Sequence, residues 1–305
     1  MRALTLLAAA TLMAGCEVNL NTAGLSAREL KTFKVTGQPE VVLDTFDGSI
    51  ELHSWDKNEI EVEVEKRAME QVLLDEIKID AQQQGDKIIV KVTGPRREHR
   101  GVTIGVNISP TARLRVAVPR NANINAMSGD GSIRAEAIEG RIMLRTTDGS
   151  VTATRIGGDV QIRSGDGSIR VDTVSGKLDL ETDDGSLTVE GQPSVLRLNT
   201  GDGSVRVQID PDTAMTDNWD ITTSDGSVTL ALPGKFNAEL DAETSDGAVR
   251  ASHPLLGDEE DRAGGDDETR RERRERRRQL RTKMGDGGKI LKIRSGDGSI
   301  RIERD

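Results

Sequence analysis

Apolar and polar residues alternate along most of this chain in short runs. Ile60, Val62 and Val64 form one such run, Ile88, Val90 and Val92 another, and Val102, Ile104, Val106 and Ile108 a third. This period-2 pattern predicts strands with one buried face. From residue 119 the runs become shorter and fall into register. Ile133/Ala135 with Ile142/Leu144 is followed by Val151/Ala153 with Val160/Ile162, then by Ile169/Val171 with Leu178/Leu180. Each block is 18 residues long and opens on Asp-Gly-Ser. A fixed period of this length is the mark of a stacked-repeat fold. The glycines fall nine residues apart (Gly131 and Gly140, Gly149 and Gly158, Gly167 and Gly176), which divides each block into two strand-turn halves. Glycine is expected to supply the positive φ of the corners. No block can bury its apolar face alone, so neighbours must stack at about 4.8 Å to close a core. The predicted fold is all-β, a single-chain β-solenoid with two short strands per coil.

The Asp-Gly corner, followed by Ser or Ala and an aliphatic residue, occurs nine times: at Asp47, Asp130, Asp148, Asp166, Asp184, Asp202, Asp225, Asp246 and Asp297. Two residues before each stands Thr or Ser, from Thr45 to Ser295. On the inward phase this is a row of hydroxyls stacked just inside the turn. The aspartates are expected to be structural, each carboxylate accepting backbone N–H groups in an Asx-type turn. Neighbouring carboxylates about 4.8 Å apart in water repel by only about 1 kcal/mol, and Arg134, Arg170, Arg206 and Arg301 stand near enough to offset that.

After Asp202 the corners lie 23, 21 and 51 residues apart. The flanking strand patterns survive, so all three insertions enter at the turn opposite the Asp-Gly corner. That variable edge is the better candidate for recognition. The longest insertion, at about 253–288, runs acidic first and then through Arg270, Arg271, Arg273, Arg274, Arg276, Arg277, Arg278 and Arg281. Leu280 and Met284 are nearly its only apolar residues. It reads either as a solvated loop or as a contact for an anionic partner such as an envelope polymer or lipid head groups. Before the regular coils (119–305), residues 33–118 read as an N-terminal cap with irregular coils, Glu70–Ile79 as a short helix over the open end, and 16–32 as a polar tether.

Composition narrows the functional classes. Only 2% of the 305 residues are aromatic and none is Tyr, which suits a thin stack better than a large globular core. A net charge of -10 argues against nucleic acid as a partner. Calcium fits poorly: Asp precedes the Gly, unlike the Gly/Asp nonapeptide order of calcium β-rolls, and the ion needs 6–8 oxygens. No metal or cofactor is expected. His53, His99 and His253 are scattered without a Cys partner, so no catalytic constellation emerges. Trp55 and Trp219 read as sugar-stacking platforms or, more simply, as strand-face residues.

Residues 1–15 have a basic start, an apolar stretch from Ala3 to Ala14 and small residues at the end, the form of a secretory signal peptide. Met13-Ala14-Gly15-Cys16 resembles the bacterial lipobox, with Met13 where Leu is usual. The resemblance implies that Cys16 is acylated and anchors the mature chain to a membrane; an ordinary signal with an incidental Cys is the alternative. Behind that signal, the Thr/Ser-x-Asp-Gly-Ser-aliphatic repeat resembles a bacterial putative-adhesin domain-of-unknown-function family over about Phe33–Asp305. The resemblance implies a β-solenoid and brings no catalytic residues. The expected function is a non-enzymatic, lipid-anchored envelope protein, a structural or adhesive module whose partner is an envelope polymer, glycan or surface protein. A carbohydrate-active β-helix enzyme and a regulatory envelope-stress lipoprotein are the alternatives.

Overall fold

The computed structural model describes residues 17–21, 24–95, 109–256 and 277–305. The signal segment, Cys16, His99, the predicted strand at 102–108 and Arg270, Arg271, Arg273, Arg274 and Arg276 lie outside the described residues.

The chain is all-β. Its first half gives β1 (Glu17–Asn21), β2 (Gly24–Lys34), β3 (Glu40–Thr45), β4 (Ile50–Trp55), β5 (Glu59–Ala68), the helix α1 (Gln71–Glu76), β6 (Lys78–Gln84), β7 (Lys87–Thr93) and β8 (Thr111–Pro119). The repeat supplies β9 (Asn123–Ser128), β10 (Ile133–Glu136), β11 (Glu139–Thr146), β12 (Val151–Ser164), β13 (Ile169–Thr182), β14 (Leu187–Thr200) and β15 (Val205–Ile209). The last part holds β16 (Trp219–Thr223), β17 (Val228–Leu232), β18 (Ala238–Thr244), β19 (Val249–Ser252), β20 (Gln279–Met284), β21 (Ile290–Ser295) and β22 (Ile300–Arg304). The strands β12, β13 and β14 each span 14 residues, leaving one Asp-Gly corner and running on to the next.

Successive coils pair in parallel and in register: Ile142 lies beside Val160, Val160 beside Leu178 and Leu178 beside Leu196. Inward residues are buried in two facing sheets, and outward ones are half-buried or exposed. Between the sheets the core is almost wholly Val, Ile, Leu and Ala. Trp219 and Phe236 are an aromatic exception, with ring centroids 5.6 Å apart.

Stacking order departs from chain order at both ends. The coil β3–β4 lies between β7–β8 and β9–β10: β3 pairs with both β7 and β9, and β4 with both β8 and β10. At the other end the last coil, β21–β22, slots between β16–β17 and β18–β19. The sequence repeat carries no stacking order of its own; the register pairs supply it. A one-coil step-over spans about 9.6 Å, which the short links 120–122 and 233–237 bridge. The long insertion lies where the chain returns from the outermost coil to an inner position.

Antiparallel strands finish the stack. At the first end β6 pairs with β7, while β5 pairs with β8, β2 with β5 and β1 with β2. The predicted tether is therefore a strand from Gly24 onward, with Phe33 buried and Leu25 and Ala27 packed on the core. Its polar residues face ion partners rather than water alone: Lys31 lies 3.7 Å from Glu29 and Arg28 3.7 Å from Glu63. The helix α1 is shorter than the Glu70–Ile79 span and buries Leu74 against the core. At the far end β20 pairs antiparallel with β18, with Met284 fully buried and Leu280 packed on the core. Two apolar residues suffice to dock this part of the insertion because backbone pairing does the rest. Exposed edges carry charge, such as Arg281 and Lys283 on β20 and Lys78 and Asp80 on β6, which discourages further strand addition.

The out-of-order stacking is open to cross-linking. In a Cys16→Ser background, Thr222→Cys with Arg294→Cys is expected to form a disulfide, because these residues are register neighbours within the Cα range such bonds need. Thr222→Cys with Glu243→Cys should not, because β21 lies between them. Peptide mapping under mild oxidation separates the two; the opposite result would mean sequential stacking.

Candidate functional site

The buried hydroxyls and the corner glycines form one continuous ladder. Ser128 donates to the Gly48 carbonyl at 2.8 Å, Ser164 to Gly149 at 2.9 Å, and Thr200 to Gly185 at 2.8 Å. The ladder follows stacking order through the intercalated coil: Ser295 donates to Gly226 at 3.0 Å and Thr244 to Gly298 at 2.7 Å. The same oxygens accept from their own corner, as Ser128 does from Gly131 N–H at 3.2 Å and Thr223 from Gly226 N–H at 3.1 Å. So at these corners the Thr or Ser hydroxyl caps the turn, a role that its inward phase alone does not show.

The glycines divide by place: Gly140, Gly158 and Gly176 have the expected positive φ, at 145°, 104° and 91°, whereas those of Asp-Gly corners such as Gly149 answer to close approach. Gly149 has no left-handed backbone. A Cβ built on it would lie 2.2 Å from the Gly131 carbonyl oxygen, the acceptor in the ladder. Close approach, not φ, excludes a side chain. Left-handed residues occur instead at the opposite edge, where Ala137, Arg155 and Thr173 recur 18 residues apart with φ of 59°, 53° and 58°. The ladder stops at Thr45. Its hydroxyl has no partner among the described residues, since the next coil outward has Gly94 against the Phe46 ring in place of a corner.

The aspartates themselves look outward. Asp130, Asp148, Asp166, Asp184, Asp202, Asp225, Asp246 and Asp297 are exposed and Asp47 is half-buried. Asp246 has an ion partner, Arg278. Arg281 is likewise engaged, 3.1 Å from Asp241, and Arg277 is exposed. The described end of the arginine run is thus turned partly onto the solenoid. Of the two tryptophans, Trp219 is buried and donates to the Ser194 carbonyl at 3.3 Å. The Trp55 indole N–H donates to Glu59 O at 2.8 Å, with Lys57 4.2 Å over its ring. Both serve the fold. His253 is buried, 3.0 Å from the Pro233 carbonyl, and His53 is exposed.

Two carboxyls depart from their ordinary acidity. Burial pushes Glu65 up, but Arg67 and Arg28 outweigh it and hold the group below the usual range. Asp241 is held low by its hydrogen bond from Arg294, 2.8 Å away, against a smaller opposing effect of burial and with help from Arg281. Both sit in ion-pair networks that tie strands together.

At the variable edge the three connections meet. Thr213, Met215, Lys235, Phe236, Gly287 and Lys289 line a hollow of about 510 Å³. Phe236 forms part of its wall and two lysines flank it. The sequence pointed to this edge by its insertions, but not to the convergence of the three, which depends on the intercalated coil.

Fold and surface together define a two-sheeted parallel β-solenoid with a hydroxyl-locked edge and a variable edge. The chain belongs to the Toastrack DUF4097 family, whose model matches residues 40–303. No curated protein matches it. Among solved structures it is similar to a "putative cell adhesion protein" from Clostridium sporogenes, at 11% identity and a TM-score of 0.30 over 92% of this chain and 100% of that one. It is similar also to a "putative lipid binding protein" from Parabacteroides distasonis (12%, TM-score 0.35, 90% and 96%) and a "putative adhesin" from Bacteroides fragilis (11%, 0.35, 91% and 97%).

Two outcomes are expected from this geometry. Thr146 lies 2.9 Å from the Gly129 and Gly131 carbonyl oxygens and accepts from Gly149 N–H; Thr146→Val should cost about 1–3 kcal/mol in thermal or urea unfolding by stranding those groups. Asp148→Asn, on the exposed side of the same corner, should stay within about 0.5 kcal/mol. A larger loss at Asp148 than at Thr146 would reverse the assignment. The second outcome concerns acid. Because Asp241 titrates lower in the folded than in the unfolded chain, its contribution is present above the unfolded pKa of about 3.9 and fades as pH falls through the folded value. Asp241→Asn should therefore be less stable than the parent at neutral pH, and the gap should close below about pH 4; a gap independent of pH would contradict the ion-pair account.

Proposed function

We propose that this chain is a non-enzymatic module of the bacterial cell envelope, held to a membrane through an acylated Cys16 and presenting its solenoid as a structural or adhesive surface. The observation that carries this reading is the distribution of polar chemistry. Inward hydroxyls other than that of Thr45 are engaged by the ladder, and outward polar side chains are strung along the coils in register instead of converging, as Gln161, Asp179 and Arg197 are. The two carboxyls with lowered acidity are both engaged by arginines in structural networks. A repeated surface suits an extended partner better than a small substrate.

Among the described residues no helix is long and apolar enough to cross a membrane. A lipid on Cys16 would act immediately before β1, which pairs with β2 on the antiparallel end of the stack. That end would then lie close to the bilayer, and the regular coils would stand beyond it. Multiple acyl chains, at about 0.8 kcal/mol per buried CH₂, give firm anchoring.

The test has two arms. Cys16→Ser expressed in a bacterial host should move the protein from the membrane fraction to the soluble one. The same full chain, immobilised on beads, should capture envelope fragments from the host. Retention in the membrane would overturn the anchor, and beads that capture nothing above a blank would overturn the surface module.

A further inference from the structure

The first outward residue after each corner forms a row up the face built from β10, the leading halves of β12, β13 and β14, then β15, β17 and β22. Register fixes its order: Arg134 beside Thr152, Thr152 beside Arg170, Arg170 beside Thr188, Thr188 beside Arg206, Arg206 beside Thr229, and Thr229 beside Arg301. Arginine and threonine alternate over these seven coils; beyond them the row continues with Glu51 beside Arg134 at one end and Arg250 beside Arg301 at the other. Two coils span about 9.6 Å, so the guanidinium groups form a straight ladder at about that spacing. The alternation is written into the chain as Gly-Asp-Gly-Ser-aliphatic-Arg, beginning at Gly129, Gly165, Gly201 and Gly296. The last of these enters the series because the C-terminal coil is intercalated.

These arginines are exposed, whereas the threonines between them are half-buried. Arg170 lies 3.0 Å from Asp172. Arg134, Arg206 and Arg301 make no ion pair among the described residues, although carboxylates such as Glu190 and Glu303 stand on the same face. Elsewhere some arginines are paired, as at Arg120–Glu139 and Arg163–Glu181, and others such as Arg145 and Arg197 make no ion pair among the described residues. A row of exposed serines (Ser150, Ser168, Ser186) and the corner aspartates flank the ladder on one side.

We propose that this face binds a linear acidic polysaccharide, one bearing about one carboxylate per disaccharide. The inference rests on the surface-module reading and names its partner. Guanidinium forks recognise carboxylates in a planar, two-point manner. An extended acidic glycan offers such groups about once per disaccharide, a spacing of the order of the ladder's. Between them it offers hydroxyls, for which the threonine and serine rows supply hydrogen-bonding partners and the aspartates supply acceptors. The aspartate rows also set the selectivity. They repel a densely charged polymer such as polyphosphate or nucleic acid, but accept hydrogen bonds from a charge-sparse, hydroxyl-rich one. Each contact is weak in water, so binding depends on engaging several rungs at once.

The probe is immobilised hyaluronan, which carries one uronate per disaccharide, with the full chain bearing Cys16→Ser as analyte at low salt. Salt-sensitive binding is expected. Arg134→Thr, Arg206→Thr and Arg301→Thr combined should weaken it about tenfold, while thermal unfolding stays near the parent's, because threonine already occupies this position in the alternate coils. Arg206→Thr with Thr188→Arg keeps the charge and breaks the spacing, and should weaken binding comparably. The proposal is overturned if the parent does not bind hyaluronan, if either variant binds as the parent does, or if polyphosphate binds as tightly. Beads that capture envelope fragments while hyaluronan goes unbound would sink this inference alone; failure of both would sink the surface module with it.

Discussion

The structure depends on a hydrogen bond between a buried hydroxyl and the corner carbonyl of the coil beside it. Thr or Ser reaches out of one coil to a glycine carbonyl of the next. That carbonyl can approach only because the residue facing it is itself glycine, with a Cβ at Gly167 falling 2.1 Å from Gly149 O. The contact thus couples two residue choices three positions apart, and couples each coil from β3–β4 to β18–β19 to the next in the stack. It also fixes register. A slip of one residue would turn the hydroxyl outward and bring the aliphatic rows to the surface. Buried polar groups in low dielectric stabilise when fully satisfied and penalise heavily when not, so the ladder specifies the stack as strongly as the Val/Ile/Leu core does.

Much of this was legible in the sequence. The strands, the nine corners, the inward hydroxyl row and the common edge of the insertions follow from period and phase alone. What the hydroxyls bond to does not, since periodicity places side chains on faces without saying what they meet. The same limit hides the capping role of the hydroxyls and the close approach at glycines such as Gly149. Both residue types favour turns for local reasons, and only the neighbouring coil shows that the hydroxyl caps the turn and that glycine makes room. The strand β2 escaped detection because one face packs Leu25, Ala27 and Phe33 on the core while the rest lies in ion pairs, leaving a pattern too polar to stand out.

Stacking order was hidden for a deeper reason. Every corner carries the same ladder groups, so any coil is chemically acceptable beside any other, and a repeat that is regular in sequence says nothing about adjacency in space. Order must come from the parts that are not repeated. At the C-terminal end these are the short 233–237 link, the Trp219–Phe236 contact and β20, which covers β18 on the side away from β21. At the other end β5 and β6 play that part by covering β8 and β7. Each end thus holds one coil between two others that follow one another in the chain. Fraying of the outermost coil, the usual weakness of a one-dimensional stack, is opposed by the antiparallel strands that cover it.

A stack of this kind generates periodic surfaces whether or not they are used, and the outward rows show where regularity goes beyond what the fold needs. The ladder demands Thr or Ser, Asp-Gly and an aliphatic residue in every coil; it demands nothing of the position after the aliphatic. Like charges one strand spacing apart repel, so a positive row is most easily kept by placing the charge in every second coil, with a good strand former between. Threonine fills that place at Thr152, Thr188 and Thr229. Relief of repulsion accounts for the alternation within these seven coils but does not extend to the next one, where Arg250 lies beside Arg301. The exposed guanidinium groups of Arg134, Arg206 and Arg301 are what the proposed acidic partner would engage.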